Sequence, residues 1–353
     1  MNHLDGDRPQ TSPDQAARVA AALEGNADEF SQLTEPHRRE LRVHCYRILG
    51  SLTEAEDMVQ ETFLHAWRRL GTFQGRSSFR AWLYKIATNA CLDALDKQRR
   101  RRRLPTQAYP AADPRSAIAP PPNEISWLEP FPDEWLIDQA AINPEARYSA
   151  YESVSLAFLA ALQSLPPRKR AVLILADVLD WSAQEIARLL GVSPSAVASA
   201  LHRARSSMAG AYHRRAPEDR TGPPTDPRTR ELLNRYVRAW QAADVDGLVS
   251  ILKEDAVLSM PPSPSWYRGR AAIRQFAATT IFADEGMFKG KAAGRWRLVL
   301  TSANGEPAFA VFERIKDGDY RPFGIQVVST DSARLSEITC FIDASLPPRF
   351  GAG

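Results

Sequence analysis

The sequence predicts a multidomain chain of 353 residues, in which two small all-α domains precede a C-terminal α+β domain. Residues 54–70 and 73–103 show the periodicity of amphipathic helices, and residues 181–205 show a helix, a tight turn and a second helix. The last third combines helical stretches with strand-like segments. Two proline-rich stretches, 104–146 and 216–227, separate the three parts.

The composition limits the classes of protein to consider. The net charge is only +3, but positive charge is concentrated at 97–103 and 203–215, as expected for contacts with nucleic acid. Cys45, Cys91 and Cys340 are scattered without CxxC spacing, so we expect no metal site, cofactor or disulfide framework. No apolar run suits a signal peptide or a membrane span, which predicts a cytoplasmic protein without membrane contact.

The segment 54–70 predicts a helix with one buried and one exposed face. Thr53 is the expected N-cap, and Val59, Phe63, Ala66 and Leu70 form the apolar stripe. We expect Phe63 to be buried in a helical bundle together with Trp67 and Trp82. The opposite face is either a solvated helix surface or a docking face for a protein partner, and it carries Asp57, Gln60 and Glu61.

The segment 73–103 combines a polar loop, aromatic residues and a basic helix end. The loop runs from Gln74 to Ser78, and the helix after it ends in Lys97 and the arginine run 99–103. Such a run is either a solvated tail or a phosphate contact. Aromatic residues beside a basic helix also suit stacking on an unpaired base.

The segment 181–205 predicts a DNA-reading helix-turn-helix, with an ordinary helical hairpin as the alternative. Gly191 stands where the first helix must end, Ser193 is the expected N-cap of the second helix, and Pro194 follows at its first position. The small and basic residues on the open face of the second helix would allow close approach to a major groove.

Together these blocks resemble one known family. LTEPHRRELRVHCYRILGSLTEAEDMVQETFLHAWRRL, FRAWLYKIATNACLDALDKQRRRR and SLPPRKRAVLILADVLDWSAQEIARLLGVSPSAVASALHRAR are similar to bacterial group IV sigma factors, the extracytoplasmic-function class. The resemblance implies a flexible N-terminus at 1–27, a sigma-2 helical bundle at 28–103 and a sigma-4 helix-turn-helix domain at 147–215. It implies core RNA polymerase, through its β′ clamp helices and β flap, and promoter DNA as partners.

The resemblance also assigns roles to individual residues. Many relatives carry a lysine and an arginine where this chain has Ala198 and Ala200, so fewer phosphate contacts and weaker autonomous DNA binding are expected, and the −35 sequence of relatives does not transfer to this chain. The implied polymerase-binding residues are Asp57, Gln60 and Glu61; those for the −10 element are Gln74, Arg76, Ser77, Asn89, Asp93, Arg99 and Arg100; those for the −35 element are Ser195, Ala196, Ser199, His202, Arg203 and Arg205.

The linker 104–146 is unusual for a spacer. Its nine prolines indicate that it forms neither helix nor sheet. Its acidic residues alternate with aromatic ones in SWLEPFPDEWL, whereas idle spacers contain few aromatic residues. It is either a disordered tether or a segment that docks on another domain of the chain. The docking hypothesis gives an interdomain regulatory role to Trp127, Leu128 and Trp135.

After the short linker 216–227, residues 228–346 predict the α+β domain, with a tail at 347–353. Helical patterns cover 228–252 and 269–282, DAVLSMPP reads as a first strand, and four further strand-like segments follow from 295 to 343. The pattern resembles a SnoaL-like domain of the NTF2-like superfamily, which implies a curved sheet wrapped around helices in a cone.

Two function classes compete, together with a plain repressor that would not explain residues 54–103. The favoured hypothesis is a transcription initiation factor, without enzymatic activity, that carries a regulatory domain in cis; whether that domain binds a small-molecule ligand stays open. The alternative is an isomerase-type enzyme tethered to a DNA-binding module. Its catalytic carboxylate would be Asp255 or Asp343, with Tyr236 as hydrogen-bond donor.

Overall fold

A computed structural model describes residues 13–75, 77–98, 102–122, 125–136, 149–212, 226–285, 287–315, 318–331 and 333–351. These residues form two compact units. The helical unit comprises residues up to 100 together with 161–211, and the sheet unit comprises 101–160 together with 212 onwards. The chain therefore passes from the helical unit to the sheet unit, returns, and crosses again.

The helical unit consists of two groups of helices. The first group contains α1 (Pro13–Leu23), α2 (Ala27–Thr34), α3 (Arg38–Leu49), α4 (Leu52–Arg69) and α5 (Phe79–Gln98). The next helix, α6 (Pro105–Ala108), belongs to the sheet unit. The second group contains the end of α7 (Leu156–Leu162), α8 (Pro167–Leu173), α9 (Ala183–Leu190) and α10 (Pro194–Tyr212). Helix α1 lies within the segment expected to be a flexible N-terminus. Its alanine-rich sequence has high helix propensity, and Ala22 is buried.

Local capping explains where α4 begins. Gly50 adopts a left-handed conformation that ends α3, and the Ser51 hydroxyl accepts a hydrogen bond from Glu54 N at 3.1 Å. The expectation that Thr53 caps this helix is wrong, because Thr53 already lies within the first helical turn.

The core of the first group confirms the apolar stripe of α4. Val59, Phe63 and Ala66 are buried. Trp67, expected in the core, is 36% exposed and contacts the edge of Phe30 at a ring distance of 4.9 Å. Phe63 and its neighbours already fill the inward face, so the larger Trp67 lies at its margin.

The helix-turn-helix has the predicted local structure. Gly191 has a φ of 67° at the end of α9, and the Ser193 hydroxyl accepts a hydrogen bond from Ala196 N at 3.2 Å. Val197, Ala204 and Met208 form the buried side of α10. Their spacing leaves the opposite side of the helix open to solvent.

The sheet unit contains a six-stranded sheet together with α-helices. The elements are α11 (Pro227–Ala242), α12 (Val245–Ser250), β3 (Leu252–Ser259), β4 (Trp266–Arg268), α13 (Arg270–Phe276), β5 (Trp296–Ala303), β6 (Glu306–Arg314), β7 (Tyr320–Thr330) and β8 (Leu335–Phe341). The strand order is β4-β3-β8-β7-β6-β5, and all neighbouring pairs are antiparallel except β3 and β8. Alternate residues of β6 face two apolar clusters, since Phe309 and Val311 join the main core and Ala310 and Phe312 join the other.

Three features of this unit differ from the sequence expectations. The predicted helix 228–252 is two helices, separated at Ala243 with a φ of 56° and by the Asp244 cap. Strand β4 was not anticipated, because only three residues pair. The linker is not free of regular structure: it holds α6 and the short strand β2 (Ser126–Trp127), which pairs in parallel with β1 (Arg102–Arg103) just before the linker.

Candidate functional site

The exposed face of α4 has the character of a protein-docking surface. Asp57, Gln60 and Glu61 are all exposed, as the helix periodicity required. One turn further on, Leu64 is 54% exposed, and Trp67 continues the same face. Acidic and polar groups beside exposed large apolar side chains are typical of an interface with another protein.

The loop before α5 and the exposed side of α5 carry part of the set expected at the −10 element. Gln74 is exposed, Ser77 is half-buried, and Asn89 and Asp93 are exposed one turn apart. The expected residues Arg76, Arg99 and Arg100 lie outside the described residues.

A half-buried polar network, missed by the sequence analysis, supports this loop. Glu40 accepts hydrogen bonds from Arg80 Nε at 2.7 Å and from the Tyr84 hydroxyl at 3.2 Å, and it contacts His37 Nδ1 at 2.6 Å. Burial acts to raise the pKa of Glu40, but the bonds from His37 and Arg80 outweigh it and hold that pKa below its usual value. Glu40 therefore fixes the start of α5 from the neighbouring α3.

The six residues expected at the −35 element share one surface of α10. All are exposed, and Arg205 alone among them forms an ion pair, with Asp177 at 2.6 Å, within the described part of the chain. The set is Ser195, Ala196, Ser199, His202, Arg203 and Arg205.

Arg170 joins the two groups of helices in the helical unit and was also missed by the sequence analysis. It is 1% exposed, and its guanidinium donates hydrogen bonds to the Ile48 carbonyl at the end of α3. It also donates to the carbonyls of Leu162, Gln163 and Leu165 and to the Gln163 side chain. A guanidinium buried this deeply depends on these carbonyl and amide acceptors, because they replace the water that it loses.

In the sheet unit, the linker is anchored at the turn between β5 and β6. Asn304, with a φ of 58°, donates its backbone N–H to the Phe131 carbonyl at 3.0 Å and accepts from Phe131 N at 2.9 Å through its side-chain oxygen. Its amide nitrogen donates to the Val154 carbonyl at 2.6 Å. Asn304 therefore binds the linker at Phe131 and the chain just beyond the linker at Val154, more than 20 residues further on.

Asp133 lies beside this turn in an unusual environment for a carboxylate. It is 5% exposed, accepts a hydrogen bond from Gly305 N at 2.9 Å and is hydrogen-bonded to Ser302. Burial raises the pKa of Asp133 to about 7, although both hydrogen bonds act to lower it. We call Phe131 and Asp133, with their partners Asn304 and Gly305, the linker anchor.

The linker residues given a regulatory role lie close to this anchor. Trp127 and Leu128 are buried, and Trp135 is half-buried against Phe131 at a ring distance of 5.7 Å. Further hydrogen bonds fix the earlier part of the linker. Trp266 Nε1 donates to the Tyr109 carbonyl at 2.9 Å. The Ala119 carbonyl accepts from the Ser263 hydroxyl, and the Ala119 N–H donates to the Ser265 hydroxyl.

The core of the sheet unit does not assemble the proposed isomerase residues. Tyr236 is buried and donates its hydroxyl to Gln326 Oε1 at 2.8 Å. Asp255 and Asp343 are exposed, so the candidate catalytic carboxylates do not join Tyr236.

Among the described residues, no group of three or more His, Cys, Asp or Glu could hold a metal ion. None of the described helices is long and apolar enough to cross a membrane.

Comparisons with known proteins assign a family to segments of both units. Residues 33–101 match the family model Sigma-70 region 2, residues 155–208 match Sigma-70, region 4, and residues 233–331 match the SnoaL-like domain. The chain is 45% identical over 324 residues to the ECF RNA polymerase sigma factor SigG of Mycobacterium tuberculosis, covering 92% of this chain and 84% of that protein.

A second relative shows the same domain order at lower similarity. SigJ of Mycobacterium tuberculosis is 28% identical over 225 residues, covering 64% of this chain and 62% of that protein. Its crystal structure shares the fold with a TM-score of 0.52 and 20% identity, covering 92% of this chain and 98% of that chain. The chain therefore belongs to the extracytoplasmic-function RNA polymerase sigma factors, which bind core polymerase and promoter DNA to direct promoter-specific initiation, and it carries a SnoaL-like domain at its C-terminal side.

Proposed function

We propose that the SnoaL-like domain restrains this sigma factor in cis by binding the linker between regions 2 and 4. The observation that carries the proposal is the linker anchor, in which Asn304 makes two hydrogen bonds to the linker backbone at Phe131, with a third to the Val154 carbonyl just beyond the linker. In sigma factors the equivalent linker passes through the polymerase cleft, so a linker bound to the SnoaL-like domain is not available for that path. Release of the linker therefore accompanies activation, in the cytoplasm where the polymerase works.

The proposal favours regulation over catalysis for the SnoaL-like domain. Isomerase chemistry would require a carboxylate beside the donor Tyr236, and Asp255 and Asp343 lie on the surface. A small-molecule ligand of this domain would act by binding the docked and released states of the linker with different affinity.

The sigma regions take the roles that the family resemblance assigns. Region 2 binds the β′ clamp helices through the face with Asp57, Gln60 and Glu61, and region 4 binds the β flap. The described residues Gln74, Ser77, Asn89 and Asp93 contact the −10 element, and the exposed surface of α10 contacts the −35 element. The exposure of these residues in the helical unit, apart from the half-buried Ser77, supports these assignments.

Asp57→Lys tests the polymerase-binding face. We expect at least a tenfold weaker affinity for core polymerase, because a charge is reversed at an interface while the fold is unaffected. Fluorescence anisotropy of labelled full-length protein titrated with core polymerase measures the change. Glu24→Lys, which reverses an exposed charge beyond the end of α1, is the matched control. Equal affinity of Asp57→Lys and wild type would remove this face from the interface.

Asn304→Gly tests the restraint. Glycine tolerates the positive φ of the turn, so the substitution removes the side-chain bonds to Phe131 and Val154 without straining the backbone. Loss of two bonds worth about 1 kcal/mol each shifts the docked linker toward release by roughly thirtyfold. We expect run-off transcription with core polymerase and full-length protein to rise several-fold.

The control for this experiment is Asn234→Ala, which removes an exposed asparagine side chain from α11 of the same unit. It should transcribe like wild type. Transcription by Asn304→Gly at or below the wild-type level, from protein with an unchanged circular dichroism spectrum, would contradict restraint by the SnoaL-like domain.

A further inference from the structure

A cavity of about 590 Å³ opens in the helical unit between the first turns of α5 and α9. One wall belongs to region 2 and carries Arg80, Trp82 and Lys85; the other belongs to region 4 and carries Trp181 and Arg188. The volume lies within the range of small-molecule sites, which is about 300–1,000 Å³.

Each wall contributes one indole ring held in place from behind. Trp82 packs against Phe79 at a ring distance of 5.5 Å, and Trp181 packs against Tyr84 at the same distance. Both tryptophans are half-buried and line the cavity. Rings fixed in this way offer stacking surfaces for a planar aromatic ligand at little entropic cost.

The charges around these rings favour an anionic group. Lys85 and Arg188 are exposed, and neither forms an ion pair within the described residues. Arg80 adds positive charge, although Glu40 binds it at 2.6 Å. Glu185 is the carboxylate among the lining residues, and it is occupied by the backbone N–H and the hydroxyl of Ser182, at 2.8 Å and 2.7 Å.

We propose that this cavity binds a free nucleoside triphosphate, with the base stacked on an indole and the phosphates on Lys85 and Arg188. The combination of an aromatic base and a polyphosphate matches two tryptophans beside two exposed cations, of which Arg188 donates its Nε to the Gln184 carbonyl at 3.4 Å and keeps its terminal nitrogens for a phosphate. Because the walls come from regions 2 and 4, the bound nucleotide links these regions and favours their packed arrangement.

The site also makes the nucleotide a competitor of promoter DNA. Ser77, assigned to the −10 element, lines the same cavity. A nucleotide of a single DNA strand offers the same base and phosphate chemistry, so the experiment must separate the two sources. This inference concerns the helical unit and does not depend on the linker anchor.

Isothermal titration calorimetry of the full-length protein with ATP, GTP, adenosine and an oligothymidylate tests the proposal. We expect one ATP or GTP per chain, and binding of adenosine weaker by about tenfold or more, because it lacks the phosphates. Arg188→Ala and Lys85→Ala should each weaken nucleotide binding about tenfold. Arg168→Ala, which removes an exposed arginine outside the cavity, should bind like wild type.

Three results would overturn the proposal. The first is the absence of ATP and GTP binding at millimolar concentration, and the second is binding that is equally strong in both cavity variants and wild type. The third is oligothymidylate binding that depends on Arg188 and Lys85 without any binding of free nucleotides, which would assign the cavity to single-stranded DNA. Transcription by Asn304→Gly is a separate measurement, so failure here leaves the restraint by the SnoaL-like domain intact.

Discussion

Arg170→Met is expected to lower the free energy of unfolding of the helical unit by about 3–5 kcal/mol. Methionine keeps most of the apolar stem but removes every donor, which leaves buried carbonyls of Ile48, Leu162 and Leu165 without this partner. Unpaired buried acceptors cost about 1–3 kcal/mol each, partly offset because the cation no longer has to be desolvated. The measurement is the urea midpoint of the helical circular dichroism signal.

A loss of this size would move the midpoint by about 1–2 M urea for a typical dependence on denaturant. Arg168→Met is the matched control, because Arg168 is two residues away on α8 and exposed; it should change the free energy of unfolding by less than about 0.5 kcal/mol. A midpoint of Arg170→Met equal to that of this control would mean that the buried hydrogen bonds contribute no net stability.

Asp133→Asn is expected to make linker docking more stable at neutral and alkaline pH. The pKa of Asp133 is raised by burial to about 7 in the docked state, against about 3.9 for an exposed aspartate. Because the pKa of Asp133 is higher in the docked state, its protonated carboxyl group stabilises docking in full at pH values below the pKa of the undocked state. That stability is lost as the pH rises from about 4 to 7, since the ionised group must then stay buried.

Asparagine can accept the bond from Gly305 N and donate to the Ser302 hydroxyl, so it retains the geometry without the charge. The difference in free energy of unfolding between Asp133→Asn and wild type should therefore grow by about 3 kcal/mol between pH 5 and pH 8. Urea titrations of both proteins at each pH measure it. Asp113→Asn, at an exposed linker carboxylate, should show no such trend, and a flat difference for Asp133→Asn would contradict its buried titration.

Features encoded by neighbouring residues could be predicted from the sequence. Gly191 and Ser193 specify the turn between α9 and α10 through a left-handed conformation and a cap, both of which depend on a few adjacent residues. The strands β5 to β8 were likewise anticipated, because each is long enough to show β-branched and aromatic enrichment.

Features encoded by distant residues could not be predicted. Asn304 binds Phe131, which lies 173 positions earlier, and nothing in the periodicity around either residue indicates this pairing. Arg170 reads in the sequence as one more exposed cation near Arg168, yet it contacts Ile48 across 122 positions. The prediction that Trp67 is buried was wrong for a related reason. The apolar stripe of α4 indicates which side of the helix faces the core, but the space left for Trp67 there depends on side chains from other helices.

The order in which the two units alternate along the chain has a consequence for protein synthesis. The helical unit is complete once residue 211 has been made, whereas the linker anchor requires the turn at Asn304 and the sheet requires β8, about 130 residues later. At about 5–20 residues per second, a ribosome needs roughly 7–26 s for that stretch. During this interval the nascent chain presents both sigma regions before the domain proposed to restrain them exists. A chain truncated there is therefore expected to lack that restraint.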